Sequence, residues 1–541
     1  MVSVDQMHHA LEVQEILLNI FRFFGRRHYD RDDGSGDLAS LARTCRTFKE
    51  PALDILWEVL DNLYPLARCL PDISYQLRPT DPGWPMVRSR VYIVLILNIF
   101  THQYAFRRPL FQNEWHTLRS YTRRIRSLSL RDIDGLHRKA ILMLFTTPDS
   151  LLPNLRYLRL YYYCHRIHLL RHPLPSLTFL NVELCDQHSF HSSVKSVAKT
   201  SPNLKGFSIS IYNYLTVDAR NVHPDFICQW RNLNTVACYG TFLDMNTLVH
   251  LSRMPALTEL RFALSTALPD QIASSKIPLI FSNLGDLGLT SKSLHVVSSL
   301  LSQTQLPTAT DFYCNIESCP SRLEFSSFLA SIQTSCVGQI IQELSAGQSY
   351  FLGGPHVPWD SRTTLGLGDL RPCLAFSNLC VMEINIEWKV DLTDSELLTL
   401  ASASPRLERL TINEEWGWCT LGGITPNGLL QLLEICRSLY RISLAIDTRG
   451  YTKPPPSSAF LGLTLPSEIS INVVDSSIEA ESMPAIAAFF AGIASHSTNL
   501  VLRAWRRWGM EDAPHREVCK PRWEDVVGRV YGAVDCEQCA D

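Results

Sequence analysis

The chain of 541 residues carries 50 basic and 53 acidic side chains, a net charge of −3, and 46% apolar residues. That length holds several domains or one extended repeat array, and the near-even charge excludes bulk attraction to nucleic acid or an anionic membrane. The 16 cysteines are scattered and the N-terminal stretch MVSVDQMHHALEVQE lacks a signal-peptide pattern, so reduced thiols in cytoplasm or nucleus are expected.

The first predicted elements lie in Leu11 to Leu60. Val13, Ile16, Leu17, Ile20 and Phe24 fall at i, i+3, i+4, i+7 and i+11, one apolar stripe of a helix that Gly25 ends. The polar run Arg26 to Gly36 is a loop. Asp37 is the expected N-cap of a second helix with Leu38, Leu41, Ala42 and Cys45 on its apolar side. Pro51 suits the first turn of a third, carrying Ala52, Ile55, Leu56 and Val59. About 50 residues is near the lower limit for an independent core. From periodicity alone, the stretch also reads as a helical cap on the domain C-terminal to it.

Residues 61–120 read as a connector. Asp61 to Trp84 is rich in Pro and Asp, and the apolar run Val91 to Leu97, continued to Phe100 across Asn98, is shorter than the roughly 20 residues that span a bilayer. It reads as a buried strand or helix, or, because 87–103 matches nothing around it, as a misjudged exon boundary.

From Tyr121 a repeat of the form P-x-L-x-x-L-x-hydrophobic runs to residue 508. Examples are LPNLRYLRL ending at Leu160, SPNLKGFSI at Ile209, MPALTELRF at Phe262 and SPRLERLTI at Ile412. Its leading apolar positions are Ile125, Leu155, Leu177, Leu204, Leu233, Leu257 and Leu284, then Leu379, Leu407 and Leu439. The last two apolar positions of each unit are two apart, so both point to one face of a strand. Helices fill the intervals: Thr393 to Glu396 is a capping box, and Thr425-Pro426 opens another helix. Such units bury their apolar faces only by stacking. Over 294–370 the template fades; Ala309, Phe312 and Cys314 fit loosely, and the span from Leu284 to Leu379 holds about three repeats. The Asn or Cys expected three residues past each strand occurs as Cys185 and is mostly missing. Over 509–541, Trp523, Val526, Val527, Val530 and Tyr531 form a helix suited to closing the last repeat, with a tail after it.

Little in the sequence announces chemistry. Gly366-Leu367-Gly368 lacks the third glycine of a dinucleotide loop and reads as a turn. Cys536 and Cys539 have zinc-ligand spacing without a second pair, and a disordered end is the plainer reading. His8-His9, His165, His168 and His172 have no carboxylate-rich partner motif. The basic clusters Arg119, Arg123, Arg124, Arg126 and Arg503, Arg506, Arg507 read as solvated faces or internal pairs. No catalytic residue, cofactor or metal is expected.

The order Leu11, Glu15-Ile16-Leu17, Ile20-Phe21, Asp37-Leu38, Leu41, Thr44-Cys45 and Phe48 resembles an F-box, in the form common in fungal F-box proteins. Two features depart from it: Gln14 stands where a proline usually precedes the glutamate, and the first interhelical loop is long and charged. LRAW at Leu502 to Trp505 and RWEDVV at Arg522 to Val527 add to the resemblance. It implies an α/β chain with an N-terminal three-helix F-box module (1–60) and an irregular leucine-rich-repeat-like solenoid. It further implies the substrate-recognition subunit of a Skp–cullin–F-box E3 ubiquitin ligase. Such a receptor performs no chemistry, raising the local concentration of a target near the ligase. The implied contacts to the Skp adaptor, and through it to cullin, are Leu11, Glu15, Ile16, Leu17, Ile20, Phe21, Leu38, Leu41, Cys45 and Phe48; the competing reading is that several of these fill the module's own core, and some do both. The target protein would meet a concave face presenting Arg159, Asn181, Ser208, Arg261, Glu383, Thr411 and Ser443, with Trp416 and Trp418 either projecting beside it or buried as an aromatic flank. The alternatives are a non-catalytic interaction scaffold outside the ubiquitin system and a repeat-containing enzyme.

Overall fold

The computed structural model describes residues 13–25, 34–69, 75–79, 102–106, 111–131, 151–161, 174–184, 197–211, 225–268, 270–271, 277–337, 340–348, 361–420, 422–505 and 515–538. The chain divides into two compact units, Met1–Thr241 and Phe242–Asp541.

The first unit opens with three helices: α1 (Gln14–Gly25), α2 (Ser35–Thr44) and α3 (Arg46–Leu56). Leu17, Phe21, Leu38 and Ala52 form a small core, with Leu41, Ala42, Phe48, Ile55 and Leu56 packed against it. Phe21 meets Phe48 edge to face at 5.5 Å, the arrangement that aromatic quadrupoles favour. Two expected boundaries are corrected. Gly34, not Asp37, caps α2: its φ of 65° turns the chain earlier. A Cβ there would lie 2.0 Å from the Phe24 carbonyl oxygen, so the close return of the chain requires glycine. Pro51 is inside α3, because the extended Cys45 starts that helix at Arg46.

From α3 the chain passes into β1 (Val59–Leu60), which pairs in parallel with β2 (Ser127–Arg131). Between them lie the one-turn helix Tyr64–Arg68, an antiparallel pair Tyr75–Pro79 and His102–Phe106, and α4 (Gln112–Thr122). Of the unmatched stretch 87–103 only His102 and Gln103 are described; the apolar run Val91 to Leu97 lies outside the described residues. Strands β3 (Tyr157–Tyr161), β4 (Phe179–Leu184), β5 (Gly206–Ile211) and β6 (Thr235–Phe242) add in sequence order, all parallel. The leading residues Ile125, Leu155, Leu177, Leu204 and Leu233 are fully buried. Two N–H groups entering a strand share one carbonyl of the preceding repeat: Arg156 and Tyr157 donate to Arg126 O, Thr178 and Phe179 to Arg156 O. That fork fixes the register, so equivalent residues line up in rows.

The second unit continues the pattern in parallel through β7 (Glu259–Leu264), β8 (Asp286–Ser291), β9 (Asp311–Ile316), β10 (Glu343–Gln348) and β11 (Val381–Asn385). It ends with β12 (Arg409–Ile412), β13 (Arg441–Ser443), β14 (Glu468–Asn472) and β15 (Asn499–Arg503). Among the described residues of 294–370 the expected irregularity is corrected to regular repeats. Three full strands, β8, β9 and β10, lie in the span from Leu284 to Leu379, as many as the about three repeats expected there, and α5 (Leu294–Leu301) and α6 (Arg322–Ser335) come after β8 and β9. Phe325 and Phe328 bury there as completely as the leucines they replace.

Thr393 and Glu396 cap α7 (Asp394–Ala403) reciprocally, and Thr425 caps α8 (Pro426–Ile435). After α9 (Met483–Ala494), the long α10 (Arg516–Gln538) packs Trp523, Val526 and Val530 against the last repeat. The Tyr531 hydroxyl accepts the Leu502 N–H at 3.0 Å, pairing a donor on the last strand. Tyr531 is otherwise exposed, and Cys536 is helical rather than in a disordered end. Cys539 and Cys185 lie outside the described residues.

Candidate protein-docking site

The surface of α1 is the clearest candidate. Leu17 and Phe21 are 1% and 3% exposed, yet Val13, Ile16, Ile20 and Phe24 on the adjoining face are 42%, 39%, 38% and 39% exposed. Phe23 extends that face and is more exposed still. The expected stripe is therefore split: only Leu17 of its five members enters the core, with Phe21 beside it. Three helices of this length have room for one small cluster, and α2 and α3 already supply Leu38, Ala52 and Phe48 to it. The result is a row of large apolar side chains left in water on one helix, the composition of a protein-binding surface.

Of the implied adaptor contacts, Glu15, Ile16, Ile20 and Cys45 are exposed, and Leu41 and Phe48 are half-buried. Leu17, Phe21 and Leu38 are corrected to core residues. Leu11 lies outside the described residues. Phe23, outside the apolar stripe and the implied contacts, falls seven residues after Ile16 and three after Ile20, on the face those two already mark.

Behind α1, a cavity of about 450 Å³ is lined by Gln14, Leu18, Arg22, Glu50, Asp54 and Arg123, among others. Arg124 donates to Glu50 and Asp54 across it, and Arg126 bonds Glu58 at 3.1 Å. The Arg124 hydrogen bond holds the Glu50 carboxyl below its ordinary range. This basic cluster is thus matched internally, tying α3 to the first repeat.

On the strand face of the first unit, the register sets Arg159, Asn181 and Ser208 in one row. The Arg159 guanidinium donates to the Tyr161 hydroxyl at 2.8 Å and the Tyr157 hydroxyl at 2.9 Å. Tyr157 stacks on Phe179 at 4.8 Å. In the second unit one row runs Arg261, Gly288, Tyr313, Ser345, Glu383, Thr411, Ser443. Arg261 is paired with Glu259 and Asp286, and Glu383 with Arg409. Thr411 and Ser443 are 2% and 1% exposed, and Ser208 is also buried; these three are corrected from target-facing to buried. The sequence pattern did not reveal the neighbouring row on the same face, Glu259, Asp286, Asp311 and Glu343 on four adjacent strands. Burial raises the Asp311 carboxyl, helped by Asp286; burial raises Glu343, helped by Asp311.

Trp416 and Trp418 do not project. They are 2% and 0% exposed, so both are corrected from target contacts to core. Gly417, with a φ of 76°, turns the loop inward. The buried Asp475 accepts the N–H groups of Trp418 and Cys419, each at 2.8 Å, and burial raises its carboxyl. Arg362 lies over the Trp416 ring and bonds Glu387 at 2.9 Å. Strand-end asparagines complete the brace: Asn413 accepts the Ile386 N–H and donates to Trp388 O, and Asn385 accepts the Glu415 N–H.

Among the described residues no group of three His, Cys, Asp or Glu side chains could hold a metal ion, and no helix is long and apolar enough to cross a membrane. Burial pushes the Cys238 and Cys373 thiols up to about 12, far from nucleophilic thiolates. His8, His9, His165, His168, His172, Arg506 and Arg507 lie outside the described residues.

No family model matches the chain, and no curated protein matches it. Among solved structures, an internalin from Listeria monocytogenes is 14% identical, over 73% of this chain and 86% of that one, with a TM-score of 0.29. Rad7 of the yeast Rad7–Elc1 complex is 14% identical over 55% and 72%, with a TM-score of 0.31. The leucine-rich-repeat ectodomain of the Arabidopsis thaliana receptor kinase GASSHO1/SCHENGEN3 is 11% identical over 72% and 55%, with a TM-score of 0.24. At such scores the likeness carries no functional information. The class rests on the chain's own geometry: parallel strands added in sequence order, each with buried leucine-type positions, make a leucine-rich-repeat-like α/β fold.

Proposed function

We propose that the chain is a non-catalytic substrate receptor of a Skp–cullin–F-box ubiquitin ligase. The apolar face of α1 docks on a Skp-type adaptor, and the strand faces of the repeats hold a target protein. The observation that supports this best is the exposure of Val13, Ile16, Ile20, Phe23 and Phe24 on one helix whose other side fills a complete small core. Burying against a partner what these side chains still expose contributes, for the four that are about two-fifths exposed, less than half of the roughly 1.5–3 kcal/mol that full burial of such a residue brings. The order of residues that resembles an F-box supplies the kind of partner.

The test is co-purification of the full chain with a Skp-type adaptor and cullin. Retention of both, lost on Ile16→Asp with Ile20→Asp, supports the receptor. Failure of the folded, unmutated chain to retain the adaptor overturns it. Gln14, where the pattern has proline, favours the second reading, a scaffold that uses the same face for another protein partner.

A further inference from the structure

We propose that the C-terminal end of the second unit carries a binding pocket for a phosphate monoester. Between the end of β15 and the first turns of α10 lies a cavity of about 320 Å³, lined by Arg503, Trp505, Arg516, Lys520, Trp523 and Glu524, among others. That volume is at the lower end of the range for small-molecule sites, roughly 300–1,000 Å³. It exceeds what a bare oxyanion needs and leaves room for the group that carries it.

Charge is the first argument. Among the described residues that line it, three cations stand with one carboxylate, an excess of two positive charges that matches a dianion. Lys520 reaches Glu524 only at 4.0 Å, and among the described residues Arg503 and Arg516 have no ion-pair partner. The other strand arginines of the second unit are matched: Arg261 with Glu259 and Asp286, Arg409 with Glu383, Arg441 with Glu414. Helix stability does not explain the placement either. Arg516 and Lys520 stand in the first turns of α10, where the helix dipole disfavours cations.

The walls are the second argument. The indole N–H groups of Trp505 and Trp523 both donate to Ser476 O, at 3.1 and 2.9 Å, so both rings are fixed with their polar edges already satisfied. Trp505 is held at a φ of 53°, a left-handed conformation uncommon outside glycine, by its N–H bond to Val474 O at 2.8 Å. A fixed apolar wall beside guanidinium groups lowers the local dielectric and strengthens their hold on an anion. Paired guanidinium forks suit phosphate oxygens better than a single point charge does. The pocket owes nothing to adaptor docking.

Calorimetric titration of the full chain with phosphoserine at low salt tests this. One saturable site is expected, weakened about tenfold or more by Arg503→Gln with Arg516→Gln. Arg529→Gln, on the same helix and paired with Asp525, leaves it unchanged. Glu524→Gln, which removes the carboxylate lining the pocket, tightens it severalfold. No saturable binding, or equal affinity in a double variant that melts like the parent, overturns the proposal. Where the double variant melts lower, Glu524→Gln decides: tighter binding supports the pocket, and unchanged or weaker binding overturns it. Glycerol phosphate and a phosphoserine peptide then separate the sources. Equal affinity identifies a free ester, and tighter peptide binding a phosphorylated polypeptide.

Discussion

Ile16 and Leu17 are consecutive residues of one helix with opposite fates: Leu17 is 1% exposed within the three-helix core, and Ile16 is 39% exposed beside Ile20. The pair separates folding from docking. Leu17→Ala empties a core position and costs about 2–5 kcal/mol. Ile16→Ala, at the surface, changes stability by about 0.5 kcal/mol or less. Chemical denaturation of the two variants, monitored on the first unit, checks the contrast.

A second prediction concerns Arg362 and Glu387, 3% and 1% exposed and 2.9 Å apart. Arg362→Met leaves the Glu387 carboxylate buried without its cation and costs about 3–5 kcal/mol. Pairing it with Glu387→Leu removes the orphaned charge and restores much of the loss. Denaturation midpoints of the single and double variants give the comparison. A double variant as unstable as the sum of the two single ones would contradict the assigned role of the pair.

The acidic row predicts a pH dependence. The folded carboxyls of Asp311 and Glu343 lie above their ordinary values, 3.8 and 4.5, because of burial first and like charge second. A carboxyl raised on folding favours the protonated state. Its contribution is fully present below the unfolded value and is lost as pH rises through the folded one. Asp311→Asn removes this dependence at its site. The thermal midpoint of the parent relative to the variant is therefore expected to fall as pH rises from about 4 toward neutrality. A constant difference would show that folding does not raise the Asp311 carboxyl.

Two glycines give opposite predictions. A Cβ on Gly428 would lie 1.9 Å from Asp394 Oδ1, displacing the carboxylate that accepts the Thr425 N–H and hydroxyl and so links successive helix starts. Gly428→Ala should cost about 1–3 kcal/mol. At Gly368 nothing lies within 4 Å, and Gly368→Ala should be neutral or stabilise by up to about 1 kcal/mol. Thermal melts of both variants distinguish the sites.

The repeat was legible because each unit spells its own strand: a leading leucine, then two apolar residues two apart. Ala309, Phe312 and Cys314 announced β9 weakly, and Ile341, Leu344 and Ala346 announced β10 not at all, since no proline precedes them and phenylalanines do the packing. The repeat pattern places an asparagine or cysteine three residues past the strand. Asparagines stand instead directly after the last buried isoleucine of the strand, at Ile384-Asn385, Ile412-Asn413 and Ile471-Asn472, a recurrence visible in the sequence. Periodicity found the apolar side of α1 but could not divide it, because Ile16 and Leu17 are equally apolar. Only the packing of Leu38, Phe48 and Ala52 decides which one is covered. The burial of Trp416 and Trp418 depends on Asp475 and Arg362, both more than 50 residues away along the chain, beyond any local pattern.

The most direct measurement is the affinity of the full chain for a Skp-type adaptor, determined by calorimetry for the parent, for Ile16→Asp with Ile20→Asp, and for Leu323→Asp. Leu323 is 77% exposed on α6 and controls for a charge placed on any exposed apolar residue. Docking through α1 predicts binding by the parent and by Leu323→Asp, and its loss in the α1 variant while the thermal melt is unchanged. Equal affinity in all three, or none in the folded parent, would contradict it.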